Sequence, residues 1–126
     1  MREENKTAEN KRRIGAEKEQ LARDYLAAKG YQVLAMNYRC RMGEVDIVAQ
    51  DDEYLCFVEV KYRTNNELGS PQHAVDIRKQ QKICRVADYY LLQHKLGYGT
   101  PVRFDVVAIS PSDITLYKNA FYYREK

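Results

Sequence analysis

The sequence has only three cysteines and two histidines in 126 residues, and neither set is spaced for a metal or redox role. Cys40, Cys56 and Cys84 form no Cys-x-x-Cys pair and leave one over, so neither a disulfide framework nor a zinc knuckle is suggested. His73 and His94 lack the paired spacing of a transition-metal site and read as surface or capping residues. No apolar segment stands near the N-terminus, and no run of about eighteen apolar residues occurs anywhere. The expectation is a chain without signal peptide or membrane partner, located in a reducing cytoplasm. Repeats and low-complexity stretches are absent as well. Excess charge is small: 21 Lys and Arg against 18 Asp and Glu leave +3, far from the footprint of a DNA-coating protein. At 126 residues the chain is long enough for one sheet with a few helices and too short for a second core.

What the sequence does have is a charged pattern inside an apolar stretch, Gly43 to Arg63. Val45, Ile47 and Ala49 alternate with Asp46 and Val48, Asp51-Asp52-Glu53 breaks the run, and Tyr54 to Tyr62 resumes it, which predicts a hairpin with an acidic turn. Leu55 to Val58 with Val60 make the second strand apolar on both faces, as in the centre of a covered sheet. Strand alternation puts Glu44 with Asp46 and Glu59 with Lys61, so three carboxylates and an amine are expected to converge. Buried charges are costly unless paired or bound to metal. A bare Glu-x-Lys also fits a structural ion pair at a strand end. The preceding-strand Asp46, thirteen positions upstream of Glu59, favours function.

Phosphodiester hydrolysis needs a nucleophilic water and relief of charge at phosphorus, and a hard divalent cation supplies both. Mg²⁺ or Mn²⁺ accepts one or two carboxylates plus waters and substrate oxygens. Asp46 and Glu59 fit that demand, with the Val60 carbonyl as a further ligand and Lys61 orienting water or stabilising phosphate charge. Glu44 fits either a carboxylate behind the ligands or a salt bridge to Arg41.

The same residues carry a resemblance. Asp46 followed by Glu59-Val60-Lys61 on the next strand resembles the PD-(D/E)xK, restriction-endonuclease-like nucleases. Within them the chain is similar to the small YraN family, through Gly15, Glu19, Tyr25-Leu26, Gly30-Tyr31, Asn37-Tyr38-Arg39, Gly43 to Ala49, Phe57 to Arg63, Arg103 to Val107 and Asn119-Ala120-Phe121. Its first half is also similar to Holliday junction resolvases, which open with a basic arm and a helix like Gly15-Ala16-Glu17-Lys18-Glu19. The resemblance implies a restriction-endonuclease-like α/β fold, a mixed central sheet flanked by helices in a single domain. It also implies a Mg²⁺- or Mn²⁺-dependent endonuclease acting on DNA, branched DNA included, with Glu19 approaching the metal and a homodimer among the candidate assemblies. A non-catalytic nucleic-acid-binding module of the same fold is the alternative, and a protein-interaction domain with a vestigial ion-pair network a third. Vestigial relatives would be expected to lose Asp46, Glu59 or Lys61, and all three are present.

Along the rest of the chain, residues 1–12 are polar and read as a flexible arm or a frayed helix start, followed by a domain over 13–126. Ile14, Leu21, Ala22, Tyr25 and Leu26 set a first helix closed by Gly30, with Glu19 about 200° from the stripe phased on Leu21. YQVLAM at 31–36 begins the sheet, and residues 37–43 read as a basic connection. Arg39, Arg41 and Arg63 beside the site are candidate nucleic-acid contacts, although the first two also serve to balance Glu44. Ser70-Pro71 opens a second helix to Gln93, where Val75, Lys79, Ile83, Val86, Ala87, Tyr90 and Leu91 share a face. Arg78, Lys82 and Arg85 line up on another, as a phosphate-tracking stripe or a solvated face. Residues 102–109 form a strand whose Asp105 reads as partner to an Arg or a backbone cap. Residues 114–117 form a short edge strand, and Phe121, Tyr122 and Tyr123 either cover a sheet edge or stack on bases.

Overall fold

The computed structural model describes residues 2–63 and 75–125, with side chains from residue 7 on. The elements run α1 (Arg2–Ala28), β1 (Gln32–Cys40), β2 (Gly43–Asp51), β3 (Tyr54–Tyr62), α2 (Ile77–Gln93), β4 (Val102–Ile109) and β5 (Ile114–Phe121). The strands lie side by side in chain order as one mixed sheet. β1–β2, β2–β3 and β4–β5 pair antiparallel, whereas β3 and β4, joined through α2, are parallel. The chain is thus a single α/β domain, and the doubly apolar β3 is its central strand. Among the described residues no helix is long and apolar enough to cross a membrane.

Among the described residues each face of the sheet carries one helix. Ala22 and Leu26 of α1 bury against Ile47, Ala49, Cys56, Val58, Val107 and Ile109. On the other face Ile83, Val86, Ala87 and Tyr90 of α2 pack on Val45, Val48, Leu55, Phe57 and Phe104. α2 opens at Asp76, whose carboxylate accepts from the Lys79 N–H at 2.8 Å, and closes at His94. The Ser70-Pro71 opening lies outside the described residues. α1 closes as expected: Gly30 takes φ +96° and the Gly30 and Tyr31 amides return to Ala27 and Leu26.

Residues 2–12, read as a flexible arm or a frayed helix start, are helical and continue α1, with Thr7 to Arg13 exposed. Three expectations are corrected. The apolar stripe of α1 is narrower than the periodicity implied, because Ile14 and Leu21 are over 40% exposed and Ala22 and Leu26 alone are fully covered. β1 runs on to Cys40 through residues read as a connection; an edge strand with one half-open face tolerates their polarity. β5 extends to Phe121, which is buried and stacks on Phe104 with centroids 5.0 Å apart, while Tyr122 and Tyr123 stay exposed.

The β1–β2 turn is pressed onto α2. Gly43 has φ +139°, and a Cβ there would lie 3.6 Å from Val86 and 4.0 Å from Lys82. Space permits a methyl and the backbone angle does not, so Gly43→Ala is expected to cost about 1–3 kcal/mol in urea unfolding. A cost under a few tenths would show that the turn relaxes freely.

At the end of the sheet where β3 begins, Asp105 is fully buried and fully satisfied. It accepts from Arg103 Nε and Nη2 at 2.9 Å each, from the Tyr31 hydroxyl at 2.7 Å and from the Asn119 N–H at 2.9 Å. Arg103 also reaches Asp51 at 2.7 Å. Both roles expected of Asp105, Arg partner and backbone cap, are present together.

Candidate active site

At the opposite end of the sheet the ladder opens. β2 and β3 pair from Asp51↔Tyr54 to Ile47↔Val58, and beyond that point β2 stays with β1 while β3 stays with β4. Asp46 sits where they part, and its Oδ2 accepts from the Val60 N–H at 2.8 Å. A side chain thus replaces the missing strand as acceptor. Facing Asp46 between Met36 and Tyr38 is Asn37, at φ +52°. Alternation resets here: Met36 and Ile47 join the core under α1, whereas Tyr38 and Val45 join the core under α2.

Glu59 lies one residue before Val60, 4% exposed. β3 alternation sends it and Lys61 toward α2, and Val60 and Tyr62 toward α1. Lys79 of α2 approaches Glu59 Oε2 at 3.4 Å. Among the described residues Oε1 is buried without a hydrogen-bonding partner. Burial, then the hydrogen-bonding and charge of the neighbouring Asp46 carboxylate, push Glu59 up to about 8, and Lys79 and Lys61 draw it back only in part. Two neighbouring carboxylates, one of them buried, share this place.

On the α1 side a cleft of about 290 Å³ runs beside the same break, with Asp46 and Val60 at its floor and Glu19 in its wall. Glu19 reaches it because Gly15, Glu19, Ala22 and Leu26 share one helix face; the wheel phased on the exposed Leu21 had turned it away. A larger concavity of about 860 Å³ lies between the end of α2 and the C-terminal tail, bordered by Leu92, Leu96, Tyr98 and Tyr122. It holds neither Asp46 nor Glu19, both of which line the smaller cleft.

A family model described as an uncharacterised protein family, UPF0102, matches residues 18–109. The chain belongs to UPF0102. A UPF0102 protein of Lachnoclostridium phytofermentans is 55% identical over 89% of this chain and 95% of its own. One from Thermodesulfovibrio yellowstonii is 44% identical over 86% and 96%. The YraN-like resemblance read in the sequence therefore holds at the family level. The crystal structure of SSO0001 aligns at 16% identity and a TM-score of 0.35, over 71% of this chain and 39% of that one, a likeness too distant to argue from.

In this UPF0102 chain the anticipated constellation divides. Asp46, Glu59, Val60 and Lys61 meet at the strand opening, and Glu19 and Asp46 line the same cleft. Among the described residues, however, no three Asp, Glu, His or Cys side chains gather closely enough to hold a metal by themselves. Convergence of three carboxylates is thereby corrected, because alternation does not carry across the reset at Asp46. Glu44 turns instead to Arg39, 2.8 Å away on the outer strand pair. Arg41, Arg78 and Lys82 are exposed, and Arg63 is half-buried. Arg85 departs from the expected stripe: its guanidinium donates to the backbone oxygens of Arg124 and Glu125, and to the Tyr123 hydroxyl at 3.1 Å. It holds the C-terminal tail to α2.

Sequence reasoning missed Lys79 as a partner of the site. The signal was present: Lys79 interrupts the apolar i, i+4 stripe of Val75 and Ile83, and a cation on a core-facing stripe wants a buried anion. Lys11, Lys18 and Tyr62, which also line the cleft, carried no such signal.

Proposed function

We propose that this chain is a metal-dependent nuclease of restriction-endonuclease-like type, hydrolysing phosphodiester bonds in DNA, branched DNA included. One observation carries the reading: a buried Glu59 oxygen without a hydrogen-bonding partner among the described residues, next to a second carboxylate, where β2 and β3 part. Asp105, the other buried acid of the core, has every acceptor used. A purely structural Glu59 would be expected to look the same.

The donor set suits a hard cation. Asp46 and Glu59, with the Val60 carbonyl, would hold Mg²⁺ or Mn²⁺, the remaining positions falling to water and phosphate oxygens. Such an ion supplies Lewis acidity and a water acidic enough to attack near neutral pH. The chain's own groups do the rest. Lys79 anchors Glu59 from α2, Lys61 places an ammonium at the strand end where phosphate charge develops, and the Val60 N–H fixes the Asp46 rotamer. Arg41 on the β1–β2 turn, with Arg78 and Lys82 on the helix that the turn packs against, offers phosphate contacts outside the site.

That no third carboxylate is gathered there among the described residues favours, in its turn, a nucleic-acid-binding module without chemistry. One experiment separates the readings: incubation of the purified chain with Mg²⁺ or Mn²⁺ and linear, single-stranded or four-way-junction DNA, beside Asp46→Asn. The nuclease reading expects cleavage of at least one substrate, lost by about a thousandfold or more in Asp46→Asn. DNA binding without cleavage by either protein would leave the binding module, and equal cleavage by both would remove Asp46 from the chemistry.

A further inference from the structure

The cleft on the α1 side has a composition that the carboxylates do not explain. Lys11, Gly15 and Lys18 stand at i, i+4 and i+7 on α1, so two ammonium-bearing stems flank a position with no side chain. A Cβ on Gly15 would meet nothing within 4 Å, and bare helix backbone therefore borders the cleft. Across from it stands Tyr62, the last residue of β3, which is 44% exposed. Lys18 Nζ lies 4.5 Å from the centre of its ring. Asp46 lies in the same cleft. An exposed aromatic face, two cations and a metal-suited carboxylate within about 290 Å³ are the elements that recognise one nucleotide: base, phosphate and scissile bond.

We propose that this cleft seats a single unpaired nucleotide of a DNA strand, its base stacked on Tyr62 and its phosphates held by Lys11 and Lys18, beside Asp46. The inference rests on the nuclease reading for its orientation and goes beyond it in substrate class: the nucleotide at the site is single-stranded, flipped or in a flap. Volume argues the same way. About 290 Å³ is the low end of small-ligand pockets and has no room for stacked base pairs. A base arriving on the ring displaces Lys18 from its face, and the flexible four-carbon stem lets the ammonium move onto the adjoining phosphate. Glu19 and Asp46 are the anions of the cleft and offset the two lysines, so affinity there comes from stacking more than from net charge.

The test is equilibrium binding in EDTA at fixed salt, independent of any cleavage. Fluorescence anisotropy of a labelled single strand and of the matching blunt duplex is measured for the chain, Tyr62→Phe, Tyr62→Ala and Gly15→Leu. A 2-aminopurine base in the single strand reports stacking directly. The expected result is tighter binding of the single strand and quenched 2-aminopurine emission, both kept by Tyr62→Phe. Tyr62→Ala is expected to weaken single-strand binding by about fivefold or more, abolish the quenching and leave duplex binding unchanged. Gly15→Leu, which fills the cleft from an exposed helix position, should lose the quenching while helicity by circular dichroism is retained. Tyr62→Ala binding and quenching like the unaltered chain overturns the proposal, as does Tyr62→Phe behaving like Tyr62→Ala, or no binding of DNA at all. Quenching in a chain that never cuts would overturn the nuclease reading alone; cleavage lost in Asp46→Asn with no role for Tyr62 would overturn this inference alone.

Discussion

Arg103→Ala is expected to destabilise the chain by about 3–5 kcal/mol, enough to leave a small domain marginally folded. The substitution strands the Asp105 carboxylate, which is 0% exposed and is met by two guanidinium nitrogens of Arg103. The Tyr31 hydroxyl and the Asn119 amide would remain as donors, too few for a buried charge. Asp105→Ala is expected to cost a similar amount by a different route, leaving the Arg103 guanidinium, the Tyr31 hydroxyl and the Asn119 amide short of acceptors. The pair should be strongly non-additive: Arg103→Met with Asp105→Leu is expected to recover part of the loss, but not the Tyr31 and Asn119 contacts. Urea unfolding of the two single variants and the double measures all three terms. Single losses under about 1 kcal/mol would mean that water reaches the network and that it does not clamp this end of the sheet.

This clamp also explains what was legible in the sequence. The hairpin, the central apolar β3, the core face of α2 and the structural role of Asp105 all follow from periodicity and from the cost of an unpaired buried charge, which are local properties of the chain. Glu59, Val60 and Lys61 at the end of a buried strand were readable for the same reason. The misplacements arose where a local pattern needs a tertiary reference. Helical periodicity gives the spacing of α1 but not its phase, and choosing Leu21 as the centre of the buried stripe turned Glu19 away from the cleft it lines. Strand alternation presumes an unbroken ladder, and the reset at Asn37 and Asp46 defeats it for Glu44, which finds Arg39 instead. Arg85 belonged to the basic stripe until the C-terminal tail, more than thirty positions away, folded back onto its guanidinium. None of those partners is visible in a window of one element.

Glu59→Gln is expected to make the chain more stable, by on the order of 3 kcal/mol above pH 8 and by little near pH 4.5. Glu59 is an acid raised in the folded state, from the ordinary carboxylate range to about 8. Unfolded, it ionises freely above about pH 4.5; folded, it keeps its proton until near pH 8, so between those values the folded chain binds more protons than the unfolded one. Stability then falls as pH rises through that window, and the full cost of the buried charge is present above it. Glutamine is neutral at every pH, offers its carbonyl to Lys79 and its amide hydrogens to Asp46, and so removes the cost without opening a cavity. Thermal unfolding of both proteins in EDTA from pH 4.5 to 9 should show curves that nearly coincide at the acid end and separate by about 5–10 °C at the alkaline end. Adding Mn²⁺ at pH 8 should raise the midpoint of the unaltered chain and leave Glu59→Gln nearly unmoved, because a cation does for two carboxylates what the amide does for one. If Glu59→Gln is instead the less stable protein at pH 9, Lys79 has already satisfied the carboxylate, Glu59 is a structural ion-pair partner, and the proposed metal site loses its second ligand.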